Sequence, residues 1–181
     1  MNFLDKTFGR LGNRMFQMAY IYAQFREGNI PDIYLQDPKY FNKYRNEIRQ
    51  LYGQGEKDER VAIHIRRGDY ITTHKNFYVN LIDDGYYARA MEHFPNERFL
   101  VFSDDIEWCK KVFKDLPCDF SEGKSVEEDL KLMSGCKGVI MANSSLSWWG
   151  AYLGSGQVIY PKKWFKDGVQ RVGFLKEWTC V

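Results

Sequence analysis

The 181-residue chain carries little net charge: 26 Lys and Arg stand against 24 Asp and Glu, a formal balance of +2. That excludes the general basic field through which proteins bind nucleic acid, and leaves room only for a local cationic pocket that takes a small anion. No apolar run approaches the roughly 18 residues of a membrane span. Asp5 interrupts the start where a signal peptide needs an apolar stretch. A soluble, unprocessed, cytoplasmic protein is the expectation. The four cysteines, Cys109, Cys118, Cys136 and Cys180, contain no CxxC pair, and the three histidines are scattered. No zinc spacing results, and reduced thiols are expected. DxD spacing and a complete GxGxxG are also missing, so neither a metal site nor a dinucleotide fingerprint is expected. There is no internal repeat.

What is present is globular: 44% hydrophobic and 28% charged residues. Aromatics reach 17%, which serves a core rich in rings or a cleft that stacks sugars or bases. From residue 61 the pattern becomes regular. VAIHIR (61–66), FLVFS (99–103), GVIMA (138–142) and QVIYP (157–161) read as buried strands. Between them, 85–94, 105–116, 125–135 and 146–153 read as helices. Ile106, Cys109, Val112, Phe113 and Leu116 form the apolar stripe of the second. Ser125 and Glu128 match a capping box, and Gly135 is placed to end that helix. Alternating strands and helices predict an α/β fold with a parallel sheet, whose ligands bind beyond the carboxyl ends of the strands. Before residue 61 the reading is a Gly-containing loop, GRLGN (9–13), a helix with Met15, Met18, Ala19 and Tyr22, a second helix from Pro38 to about Leu51, and a polar linker at 53–60.

Four segments carry chemistry. In His64-Ile65-Arg66-Arg67-Gly68-Asp69-Tyr70, side-chain alternation puts His64 and Arg66 on one strand face, with Arg66 at the carboxyl end. Its planar fork suits phosphate oxygens; the plain alternative is a strand end with Arg67 paired to Asp69. The RGD tripeptide inside it is read as chance. In Phe102-Ser103-Asp104-Asp105 the carboxylates hold a cation or read a base edge, while one of them is expected to cap the next helix. Asn143-Ser144-Ser145-Leu146-Ser147 sets more small polar groups at a helix start than capping needs, which points to an anion site. Trp148 and Trp149, which follow, are expected to pack rather than bind. Gly9-Arg10-Leu11-Gly12-Asn13 is a GxxG before a helix and weak by itself.

In this order the segments resemble glycosyltransferase family 11, the α-1,2-fucosyltransferases. GRLGNRMFQ, HIRRGDY, FSDDIEWC and EEDLKLMSGCKGVIMANSSLSWWGAYL match that family's pattern, and YLQDPKYF (34–41) and FLKEWT extend the match over nearly the whole chain. Arg14 stands where the family usually has Gln, and the family's stretch between the GNQ helix and the YLQ segment is much longer than the 25–32 found here. The resemblance implies a Rossmann-like parallel sheet, the donor domain of a GT-B-like fold (61–181), with a reduced amino-terminal, acceptor-side portion (1–60). It implies metal-independent, inverting transfer of L-fucose from GDP-β-L-fucose to the 2-hydroxyl of a galactoside-containing glycan, with no cofactor beyond the donor substrate. Arg66 would meet the charge on the leaving diphosphate, with Arg67 in support and Asp69 as candidate base. Gly12, Asn13, His64, Asn143, Ser144 and Ser145 would line the donor site. Asp104 or Asp105 would read guanine. The competing expectation is a GDP-sugar-binding relic or regulatory module without catalysis.

Overall fold

The computed structural model describes residues 10–27 and 36–181. Residues 1–9, read above for a leader and for Gly9, and 28–35, with the start of the YLQ segment, lie outside the described residues.

Six strands form one parallel sheet in the order β3-β2-β1-β4-β5-β6. They are β1 (Asp58–Ile65), β2 (Phe99–Ser103), β3 (Cys118–Phe120), β4 (Cys136–Ile140), β5 (Gln157–Tyr160) and β6 (Thr179–Cys180). The helices are α1 (Leu11–Arg26), α2 (Arg45–Tyr52), α3 (Gly68–Ile71), α4 (Tyr86–Met91), α5 (Ile106–Val112), α6 (Val126–Gly135) and α7 (Ser145–Leu153). The predicted α/β, Rossmann-like architecture is therefore present.

The strand period divides the core in two. Ala62, Leu100, Phe102, Val139 and Val158 face one side and pack with Met15, Phe16, Ile48, Met133, Trp148 and Trp149 from α1, α2, α6 and α7. Their neighbours Val61, Ile63, Phe99, Val101, Ile140 and Ile159 face the other side and pack with Tyr86, Tyr87 and Ala90 of α4 and Cys109 of α5. Both faces of the central strands are covered, which is why they read as continuous apolar runs rather than alternating ones. The ring-rich composition goes mainly into the first layer. Trp148 stacks on Tyr152 at 4.9 Å and Trp149 on Phe41 at 5.8 Å. Both indole N–H groups donate to backbone carbonyls, Trp148 to Gly173 at 2.8 Å and Trp149 to Gly12 at 2.9 Å. The tryptophans pack, as expected, and they tie α1 to the end of the sheet.

Several local expectations change. β1 starts at Asp58, inside the stretch read as a linker; there Arg60 pairs with Asp58 and, across β2, with Asp119 of β3. Charged pairs at a strand start give no apolar alternation to read. The segment before it is packed: a Cβ on Gly55 would lie 1.9 Å from the Lys131 carbonyl oxygen. β3 and β6 have three and two residues and went unpredicted, being too short to show a period. Helix α5 stops at Val112, so Val112 and Leu116 of the supposed stripe are exposed while Cys109 and Phe113 are buried. The second amino-terminal helix is broken into two 3₁₀ turns followed by α2. The capping box on α6 is formed, with the Glu128 N–H donating to Ser125 Oγ at 3.2 Å and the Ser125 N–H to Glu128 Oε2 at 2.7 Å.

Candidate active site

In the strand order, β1 is followed in sequence by β2 on one side, while β4, on the other side of β1, is followed by β5 beyond it. The chain thus leaves β1 and β4 in opposite directions, and a crevice opens beyond their carboxyl ends. His64 and Arg66 come from the end of β1, and Asn143, Ser144 and Ser145 from the turn after β4. The first turn of α1 closes the top with Gly12 and Asn13. Together they line a cleft of about 790 Å³.

Arg66 is the centre of its charge network. Its Nε and Nη2 donate to Asp69 Oδ1 at 3.0 and 2.5 Å, and its Nη1 lies 2.9 Å from Asp104 Oδ2. Arg10, exposed at the rim, reaches Asp69 Oδ2 at 3.2 Å. Arg67 turns the other way. Its backbone N–H donates to Asp104 Oδ1 at 2.8 Å, its Nε to Asp105 Oδ2 at 3.0 Å, and its guanidinium lies over the Trp108 ring at 3.6 Å. The alternative pairing of Arg67 with Asp69 is therefore not formed; Arg66 takes that carboxylate. Nor does either aspartate cap α5 with its side chain: Asp105 occupies the cap position without a side-chain cap bond, and Ser103 Oγ accepts from its N–H at 3.0 Å. The structure brings Arg66 and Asp69 into the cleft wall, with Arg67, Asp104 and Asp105 behind them.

His64 is 4% exposed, and its Nδ1 has no hydrogen-bond partner. Burial pushes its imidazole down to about 4, against a smaller opposing pull from Asp104, so the ring is neutral at pH 7. A neutral ring offers one donor and one acceptor but no charge. Asn143 is spent on structure: its side-chain amide donates to the backbone carbonyls of Val79 and Trp164, both at 3.0 Å, and its backbone carbonyl accepts from Tyr70 Oη at 2.9 Å. Ser144 caps α7, its Oγ accepting from the Leu146 N–H at 3.3 Å. Ser145 lies against α1, where a Cβ on Gly12 would come within 2.5 Å of its Oγ. Asn13 Oδ1 accepts from Gln36 Nε2 at 3.0 Å.

The sequence profile of glycosyl transferase family 11 matches residues 6–181. The chain belongs to glycosyl transferase family 11. Among its relatives, an alpha-1,2-colitosyltransferase of Escherichia coli is 36% identical over 72% of this chain and 54% of its own length. The O-antigen biosynthesis glycosyltransferase WbnK of Escherichia coli is 38% identical over 58% of this chain and 39% of its own. Human galactoside alpha-(1,2)-fucosyltransferase 1 is 28% identical over 76% and 44%. The chain thus spans about half the length, or less, of these relatives. No solved structure matches it significantly.

In this family 11 chain the motif segments converge although they lie far apart in sequence. Part of the cleft was not foreseen. The loop after β1 contains α3 and brings Tyr70, which ends the HIRRGDY motif, with His74, Phe77 and Tyr78 to the wall, together with Trp164, Phe165 and Arg171. An isolated bridge between Tyr78 and Phe165 joins the two loops. No periodicity marks rings in irregular segments, so apart from Tyr70 in its motif no sequence signal pointed to them. Among the described residues no helix is long and apolar enough to cross a membrane, and no group of three or more His, Cys, Asp or Glu is placed to hold a metal ion.

Proposed function

We propose that the chain is an inverting glycosyltransferase that moves L-fucose from GDP-β-L-fucose to the 2-hydroxyl of a galactoside. One observation carries this reading. Arg66 lines the crevice between the ends of β1 and β4, its guanidinium held in place by Asp69 on one edge and Asp104 on the other. As the bond between fucose C1 and the β-phosphate oxygen breaks, negative charge gathers on the diphosphate and the sugar becomes oxocarbenium-like. Once phosphate oxygens have replaced part of these carboxylate contacts on donor binding, the guanidinium is in place to meet that charge. Ser144, Ser145 and the N–H groups opening α7 add donors to the diphosphate.

The acceptor oxygen attacks C1 from the opposite face, which inverts the anomeric centre. Its proton passes to a carboxylate within reach, and Asp69, beside Arg66 in the cleft lining, is the candidate. Neutral His64 contributes a hydrogen bond to the donor. Of the two aspartates, both behind the cleft wall, Asp105 is the better candidate to read guanine. Both oxygens of Asp104 are occupied by Arg66 and Arg67, whereas Asp105 is bonded through Oδ2 alone among the described residues. Gly12 and Asn13 cover the phosphates from α1. The names of the relatives, which include fucosyl- and colitosyltransferases, support a deoxysugar donor.

The test is a transfer assay with GDP-fucose and a panel of β-galactosides, read by mass spectrometry beside a GDP titration. A fucosylated product supports the reading. GDP binding with neither transfer nor donor hydrolysis returns the chain to a GDP-sugar-binding module.

A further inference from the structure

The cleft has a second half that the charged residues do not explain. Tyr70 and Tyr78 stack face to face, with centroids 3.7 Å apart and planes 5° from parallel. Tyr70 Oη is bonded to the carbonyl of Asn143, whose amide holds the backbone of Val79 and Trp164. The pair is therefore rooted in the turn after β4, one residue before Ser144. Phe77 sits beside it, edge-on to Tyr78 at 5.0 Å and tilted on Phe165 at 5.1 Å. Its backbone is fixed as well, since the Lys166 N–H donates to its carbonyl at 2.9 Å. Arg171, paired with Asp167 at 2.6 and 3.0 Å, lies over the Phe165 ring at 4.8 Å and over the Phe77 ring at 5.6 Å.

A single exposed ring on a surface needs no explanation. Phe77 is different because it is 43% exposed in the wall of the cleft while its surroundings hold it still. A rigid apolar face flanked by a few hydrogen-bonding groups, here His74 and the Arg171 guanidinium, is the composition of a small-molecule subsite. The ligand chemistry follows from the shape of a pyranoside. In a β-galactoside the axial 4-hydroxyl leaves the opposite ring face as a patch of C–H groups at C3, C4 and C5, with hydroxyls around the rim. The patch suits an aromatic face and the rim suits a guanidinium.

We propose that Phe77, with Tyr78, Phe165 and Arg171, forms the stacking subsite for the acceptor galactoside. The inference rests on the transferase reading for its choice of ligand, but not for its geometry. It places acceptor recognition within this chain, on the β5 side of the crevice, while the donor occupies the Arg66 side.

The experiment titrates methyl β-D-galactopyranoside into the full chain by saturation-transfer NMR, and GDP separately by calorimetry. The preparations are the parent protein, Phe77→Ala and Phe77→Tyr, each checked by thermal melting. The expected result is galactoside affinity about threefold to tenfold lower in Phe77→Ala. Phe77→Tyr should restore it, methyl β-D-glucopyranoside should bind the parent more weakly, and GDP affinity should stay within about twofold throughout. Galactoside binding that is absent in the parent, or unchanged in Phe77→Ala, overturns the subsite. A GDP affinity that falls with Phe77→Ala also overturns it, because the ring would then serve the nucleotide. Failure of the parent to bind GDP at all counts against the transferase reading instead, and the galactoside titration still decides the subsite.

Discussion

Arg66 Nη1 lies 2.9 Å from Asp104 Oδ2, so the ends of β1 and β2 are joined by an ion pair behind the cleft wall. With Asp69 on its other edge, the Arg66 fork is fixed before any ligand arrives. Reaching for a diphosphate requires that these carboxylates be partly exchanged for phosphate oxygens, which ties donor binding to the geometry of the pair.

Arg66→Lys keeps the charge and loses the planar fork. In transfer or donor-hydrolysis kinetics, kcat is expected to fall on the order of 10²–10³-fold, about 2.7–4 kcal/mol by analogy with other preorganised donors. GDP affinity should fall less than kcat, because the interaction strengthens as charge develops. A melting temperature that drops while kcat per folded molecule stays normal would assign Arg66 to structure alone.

The two aspartates should behave differently. Asp105→Ala is expected to weaken GDP by about tenfold or more and to leave ADP nearly unchanged, since only guanine offers the N1–H and amino donors. Asp104→Ala should weaken both nucleotides, because it releases Arg66 and the Arg67 N–H together. Calorimetry with GDP and ADP separates the cases; equal losses from Asp105→Ala would remove it from base recognition.

GDP binding should not depend on a divalent ion, given Arg10, Arg14 and Arg66 around the cleft. Its affinity is expected to stay within about threefold when EDTA is added. A tenfold loss would return Asp104 and Asp105 to a cation-binding role.

Gly12→Ala tests the seam between α1 and α7. The new Cβ would lie 2.7 Å from the Ser145 backbone carbon, and Gly12 also accepts the Trp149 indole bond. A destabilisation of about 1–3 kcal/mol in chemical denaturation is expected, as for other overpacked positions. An unchanged midpoint would show that the seam is loose.

His64 makes stability depend on pH with a definite sign. Its folded value, about 4, lies below its ordinary 6.5, so between these limits the unfolded chain binds the extra proton. Its contribution is full at pH 7 and is lost as pH falls from about 6.5 to about 4. Between pH 7 and pH 5 the loss amounts to about 2 kcal/mol. Denaturation of the parent and of His64→Gln at both pH values should show the parent falling further. Parallel slopes would mean that the ring is protonated in the folded state.

The strands carrying the site were legible because burial on both faces demands runs such as Val61–Ile65 and Phe99–Phe102, and such runs are visible without knowing their partners. The α6 capping box was legible for a similar reason, since all its groups lie within four residues. The placement of Arg66 and Ser144 beyond strand ends followed from the same local patterns, and the combined motifs carried the family. What those residues do to one another is decided by contacts across many residues. Arg66 and Arg67 are neighbours with the same charge, yet one faces Asp69 in the cleft and the other lies on Trp108. The aromatic wall brings Tyr70 and Phe77 to Phe165 and Arg171 across irregular loops, where no period constrains a ring to one side. Short edge strands such as Thr179–Cys180 exist only because β5 offers them a partner. Local pattern follows from what each residue needs from solvent and backbone; pairing depends on which distant segment arrives beside it, and that is settled by the packed sheet.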